Sequence, residues 1–194
     1  MKREFAKLLQ SLLRGLLSQA KKRNRSGLLL IVVLTIAVFA VGWWLEEPNA
    51  PIPERGADLS CRISEVYDGD TVAASCDNGK LKVRLFGIDA PEMKQKPWGD
   101  KARAQLRYMV PHTKLRLLVM DMDRYGRVVA RLYDGDRDLG LQLVRQGWAV
   151  VYAQYNSLKA YRVAQAEAKQ EKLGVWSQPG SQQEPWEWRK LNPR

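Results

Sequence analysis

Three segments of this 194-residue chain carry residue types that can hold a cation and a phosphate. Asp68-Gly69-Asp70-Thr71 sets two carboxylates beside a glycine at a strand reversal, where side chains can converge on a hard cation that prefers oxygen ligands. Alone, that motif is equally an ordinary turn, as Asp134-Gly135-Asp136 in the same chain illustrates. The run Val83-Arg84-Leu85-Phe86-Gly87-Ile88-Asp89-Ala90-Pro91-Glu92 adds one arginine and two acids, separated by apolar residues suited to a core. Arg84 falls at an alternate position of a strand, and its forked guanidinium suits a phosphate held by two hydrogen bonds. Asp123-Arg124-Tyr125-Gly126-Arg127 has turn composition and delivers a second arginine.

These side chains need rigid elements to bring them together. Residues 61–67, 71–76 and 80–87 read as short strands separated by Asp-Gly and Asn-Gly turn signals, a meander, and residues 115–120 and 128–133 add two more. Helices are expected in three places. One is capped by Asp100, runs through Ala102, Leu106 and Met109, and stops before Pro111; a second runs from Asp138 to Gly147; a third covers residues 157–173, capped by Ser157 and closed by Gly174. Five short strands with three helices make an α+β domain around a small barrel, with OB-type folds the leading candidates. If Asp68-Gly69 is a two-residue type I′ turn, counting outward places Cys61 opposite Cys76. The pair is then either a disulfide or two small buried thiols, and its spacing does not resemble a zinc site. His112, the only histidine, follows Pro111 at a helix end and reads as a surface or capping residue.

Taken in order, the D-G-D-T, V-R-L-F-G-I-D-A-P-E and D-R-Y-G-R segments resemble the three signatures of the staphylococcal (thermonuclease) nuclease family. The resemblance extends through Leu143-Val144-Arg145-Gln146-Gly147 to Glu171-Lys172-Leu173-Gly174-Val175-Trp176-Ser177 and covers roughly residues 61–177. It implies a five-stranded OB-fold barrel with three helices and a Ca²⁺-dependent nuclease that hydrolyses phosphodiester bonds of DNA or RNA. Carried over position by position, it makes Asp70 and Asp89 side-chain ligands of one Ca²⁺ and the backbone carbonyl of Ala90 a further ligand. Asp68 then lies near the ion. It makes Arg84, Glu92 and Arg127 catalytic, with Glu92 the general base for the attacking water. Both arginines belong to electrostatic stabilisation, because a pKa above about 12 makes a poor proton donor. Ala90 departs from the best-known member, which has threonine there; a carbonyl ligand does not depend on the side chain. Tyr152 and Tyr155 lie where the family places tyrosines that pack on a nucleotide, although the local spacing differs. Arg124, Lys94 and Lys96 are candidates for backbone contacts, or else members of a solvated charged loop. The competing reading is an OB module that binds nucleic acid without cutting it.

The formal charge of +11 points to an anionic partner, but its distribution is uneven. Residues 1–26 hold eight basic residues against Glu4, which is +7, and leave +4 for the rest of the chain. Within that arm Phe5, Leu8, Leu9, Leu12, Leu13, Leu16 and Leu17 recur at helical spacing, a stripe that can lie on an anionic leaflet or meet a partner helix. The arm leads into an uncharged run of 18 residues at 28–45, so residues 27–45 read as a single transmembrane anchor in the lipid bilayer with Trp43 and Trp44 at its far end. The basic arm favours a cytoplasmic N-terminus, which places the nuclease domain outside the cytoplasm. A cleaved leader is the alternative, but no clear small-x-small site follows. A Pro-rich linker (46–58), the catalytic domain (59–177), expected to be monomeric, and a loosely ordered tail (178–194) with Trp186 and Trp188 available for docking complete the organisation.

Overall fold

β1 (Asp58–Val66), β2 (Thr71–Cys76) and β3 (Gly79–Leu85) form the expected antiparallel meander. Along β3 the buried Leu81, Val83 and Leu85 alternate with Lys80, Lys82 and Arg84, the period-two pattern of a half-buried strand. β4 (Ile88–Asp89) is a two-residue strand, and α1 (Trp98–Met109) follows it. β5 (Leu115–Met122) and β6 (Val128–Asp134) pair antiparallel around the Asp123–Arg127 turn. The sheet order β3-β2-β1-β5-β6 is closed by a parallel pairing of β3 with β6, giving a five-stranded OB-like barrel filled by Val72, Val83, Leu117, Val119 and Leu132. The short β7 (Arg137–Asp138) extends the edge of β6.

The remaining elements are α2 (Leu139–Arg145), β8 (Val150–Val151), α3 (Lys159–Gln170) and α4 (Pro185–Leu191), with single 3₁₀ turns at Gly174–Ser177 and Ser181–Gln183. Asp138 caps α2 as expected, accepting the Leu141 N–H at 3.1 Å. The other two caps differ. α1 begins two residues before Asp100 without a side-chain cap, so Asp100 sits in its first turn, where its negative charge still suits the helix dipole. α3 begins at Lys159 with Leu158 at its N-cap and no side-chain cap, so Ser157 does not cap it; Asn156 Oδ1 accepts the Leu158 N–H at 2.9 Å in the turn that precedes the helix. The tail expected to be loose instead forms a 3₁₀ turn and α4, packed through buried Pro185 and half-buried Trp186.

The computed structural model describes residues 31–32, 34–38 and 51–193. By its internal contacts the chain divides into Met1–Glu47 and Pro48–Arg194. In the first unit residues 31–32 and 34–38 are helical. Among the described residues no helix is long and apolar enough to cross a membrane. The basic arm, most of the 27–45 anchor and the start of the linker lie outside the described residues.

Candidate active site

The β1–β2 hairpin delivers the first acidic pair. Cys61 pairs with Cys76 in register, and the two form a disulfide, so the counting argument holds at that end. At the turn it does not. A register shift between Ile63 and Glu65 lengthens the loop by one residue, and the Tyr67 N–H bonds the Thr71 carbonyl at 2.9 Å. Gly69 has no positive φ, so a type I′ turn is not what requires it. A Cβ there would lie 2.6 Å from Ala90 Cβ and 2.7 Å from Ala102 Cβ: the glycine lets the acidic turn press against the second acidic loop and α1.

That second loop is fixed from both sides. β4 pairs with β8, setting Asp89 opposite Val150, and the Tyr152 N–H bonds the Gly87 carbonyl at 3.0 Å. Asp70 and Asp89 are both buried, and Arg84 bridges them: one guanidinium nitrogen meets Asp70 Oδ1 at 2.9 Å and the other meets Asp89 Oδ1 at 2.9 Å. The Thr71 hydroxyl donates to Asp70 Oδ1 and the Ala90 N–H to Asp70 Oδ2. Burial works against the charge on Arg84, but Asp70 and Asp89 outweigh it and raise its pKa. Asp89 moves upward as well, chiefly through burial, with hydrogen bonds from Arg189 opposing and repulsion from Asp70 reinforcing the shift.

Glu92 lies on the loop before α1. Gln95 anchors it by accepting the Glu92 N–H at 2.8 Å, and Gly99 keeps α1 close, since a Cβ there would lie 2.2 Å from the Glu92 carbonyl. Arg127 enters from the β5–β6 turn. It binds Asp123 through Nε at 2.7 Å and a terminal nitrogen at 2.6 Å, and its other nitrogen is 3.5 Å from the Thr71 hydroxyl. Asp123 is held below the usual carboxylate range; burial opposes this, and the Arg127 and Tyr125 N–H groups and the Arg127 guanidinium overcome it.

Arg189 in α4 was not among the residues singled out from the sequence. Its two terminal nitrogens meet the two oxygens of Asp89 at 2.9 and 2.8 Å, and one of them also meets Glu92 at 2.9 Å. Nothing in the polar composition of the tail marks this arginine.

Of the expected substrate contacts, Tyr152 and Arg124 line one groove of about 610 Å³ together with Tyr125, Trp186 and Arg189. Tyr155 meets Tyr152 edge-on at 4.9 Å outside that lining, and Lys94 is exposed on the loop after Glu92. Among the described residues no group of three or more acidic, histidine or cysteine side chains forms a ready-made metal site. The donor set nevertheless fits a hard cation. Two adjacent buried carboxylates demand positive charge and offer only oxygen, the chemistry calcium takes.

Residues 82–178, half of the chain, match the family model described as staphylococcal nuclease homologue. An uncharacterized endonuclease of Escherichia coli is 36% identical over 138 residues, covering 71% of this chain and 89% of that protein. One from Haemophilus influenzae is 36% identical over 132 residues, covering 68% and 73%. A micrococcal nuclease of Shigella flexneri is 31% identical over 147 residues, covering 70% and 83%. With the closed barrel and the Asp70–Arg84–Asp89 cluster, these matches establish that the chain belongs to the staphylococcal nuclease family of phosphodiester-hydrolysing enzymes.

Proposed function

We propose that this nuclease hydrolyses DNA or RNA with one calcium ion held by Asp70, Asp89 and the carbonyl of Ala90, and with Glu92 as general base. The observation that carries the reading is the convergence of Asp70, Arg84 and Asp89 from three strand ends on one buried, charge-dense point. Bound there, calcium supplies Lewis-acid charge to a phosphate oxygen. Arg84 is poised between the two carboxylates, so that where calcium takes their oxygens its guanidinium is beside the ion and can donate to an equatorial oxygen. Arg127, oriented by Asp123, adds a second guanidinium. Both act by charge, and Glu92 accepts the proton of the attacking water. The groove walled by Tyr152, Tyr125 and Arg124 offers ring faces and a cation to a base and a phosphate, a sequence-tolerant mode.

Cleavage of single- and double-stranded oligonucleotides, with calcium added or chelated, tests this. Glu92→Gln and Arg127→Ala are expected to lose about 10²–10⁴-fold in rate while remaining folded. Wild-type cleavage by both variants, or cleavage indifferent to chelation, would sink the assignment.

The same proposal places the nuclease domain outside the cytoplasm, tethered to the bilayer by residues 27–45. The Cys61–Cys76 disulfide supports an oxidising compartment, and the +7 arm supports a cytoplasmic N-terminus. Protease digestion of spheroplasts, before and after detergent lysis, checks this: protection of the domain in unlysed spheroplasts would contradict it.

A further inference from the structure

α4 lies beyond residues 82–178, the stretch that matches the family model, yet it reaches the centre of the site. It is fastened at its start. Trp186 packs on the cluster of Trp98, Val150 and Val175 and stacks on Tyr152 with ring centroids 6.1 Å apart and planes 7° from parallel. Gln95 ties the Glu92 loop to this tail, donating to the Ser181 carbonyl at 2.9 Å. The far end of the helix is loosely held by comparison, with Leu191 largely exposed. Arg189 lies between these ends and reaches the site with its guanidinium.

Three carboxylates, Asp70, Asp89 and Glu92, meet two guanidiniums, Arg84 and Arg189. Arg84 engages one oxygen of Asp89 and Arg189 engages both, so no Asp89 oxygen is without an arginine nitrogen. A buried carboxylate stripped of its partner is strongly unfavourable, and Arg189 supplies that partner in the metal-free protein. A calcium ion at its usual oxygen distance of about 2.3–2.6 Å needs those same lone pairs and repels a guanidinium sharing them. The two cations therefore compete for Asp89. Arg189 has somewhere to go: a third of its side chain is exposed, and it borders the groove beside Tyr152. It can swing there while Trp186 keeps the helix docked.

We propose that Arg189 is a resident counter-ion of the active site, which neutralises Asp89 and Glu92 until a calcium ion displaces it, so that the C-terminal helix sets the metal affinity of the enzyme. This makes Arg189 a positioning residue that acts through two carboxylates. The inference rests on the metal reading given above to Asp70 and Asp89.

Calorimetric titration of the full chain with calcium alone, without nucleic acid, tests it. Arg189→Ala is expected to bind calcium about tenfold or more tightly than wild type, since a charged hydrogen-bonded competitor has been removed. Arg189→Lys, which keeps the charge and loses the fork, should fall between them. Arg189→Gln leaves an amide donor for Asp89 and gives the same reading if the alanine variant is too unstable to titrate. A calcium-induced rise in melting temperature larger than in wild type would support the proposal in either variant. Calcium affinity equal to or weaker than wild type in Arg189→Ala and Arg189→Gln overturns it, provided wild type binds and Asp70→Asn does not. Calcium binding by wild type that survives Asp70→Asn, or no binding at all, overturns the metal reading itself and this inference with it.

Discussion

The backbone N–H of Ala90 donates to Asp70 Oδ2 at 2.9 Å, joining the tip of the first hairpin to the loop that carries Asp89 and Glu92. The bond is short enough to form only because Gly69 lies beneath Ala90 with no side chain between them. Two carboxylates 19 residues apart in sequence are thereby held at one spacing.

Gly69→Ala is expected to force the two loops apart, because both clashing neighbours are Cβ atoms that cannot rotate away. The loss should be about 1–3 kcal/mol of stability, accompanied by weaker calcium binding. Gly126→Ala is the comparison. Nothing lies within 4 Å of a Cβ there, but φ is +74°, so a cost of about 1–2 kcal/mol should come with calcium affinity unchanged. Urea denaturation and calorimetry read both quantities, and equal calcium affinities for the two variants would contradict the role given to Gly69.

Arg84→Ala leaves Asp70 and Asp89 without the cation that bridges them. Its side chain is only 16% exposed, so solvent compensates little, and the metal-free protein should lose about 3–5 kcal/mol. Calcium should restore more stability to this variant than to wild type, because the ion replaces the missing charge. A calcium-induced rise in melting temperature no larger than in wild type would show that the two cations do not serve the same carboxylates.

Asp68 gives the metal-free protein a pH dependence with a defined sign. Burial first, then repulsion from Asp70, pushes its carboxyl up to about 6 from 3.8, against hydrogen bonds from the Asp70 N–H and Thr71 and the charge of Arg84. The folded state thus holds this proton more tightly than the unfolded chain. The stabilisation is complete below about pH 4 and is lost as pH rises through about 6. Melting temperature under chelation should therefore fall more steeply between about pH 4 and 6, on the order of a few degrees, in wild type than in Asp68→Asn, and the two profiles should run parallel above that. Profiles parallel throughout would refute the assignment.

The Cys61–Cys76 disulfide closes the hairpin that carries Asp68 and Asp70, with a sequence separation of 15. A loop of that length corresponds to about 3 kcal/mol of lost unfolded-state freedom. Reduction, or the double variant Cys61→Ala/Cys76→Ala, should lower the urea midpoint accordingly. Coincident oxidised and reduced transitions would contradict this.

What was legible in the sequence is what local physics encodes. The alternation of Leu81, Val83 and Leu85 with polar neighbours marks β3, and the Asp138 cap and Gly147 bound α2; counting from a two-residue Asp-Gly turn reaches the Cys61–Cys76 pairing only because the bulge between Ile63 and Glu65 offsets the longer loop. Asp70, Arg84, Asp89 and Glu92 lie in short motifs that any reader of the chain can pick out, but the roles given to them come from the resemblance of those motifs, taken in order, to the family signatures. The bulge between Ile63 and Glu65 was not legible, nor was the true reason for Gly69, because both depend on what packs across the hairpin. The closure of β3 against β6 and the arrival of Arg189 at Asp89 were decided only by the tertiary path. Periodicity, caps and turns are settled within a few residues of the chain. A guanidinium 100 residues from its carboxylate is placed by the packing of Trp186 and the direction this gives α4, neither of which is set by neighbouring residues in the chain.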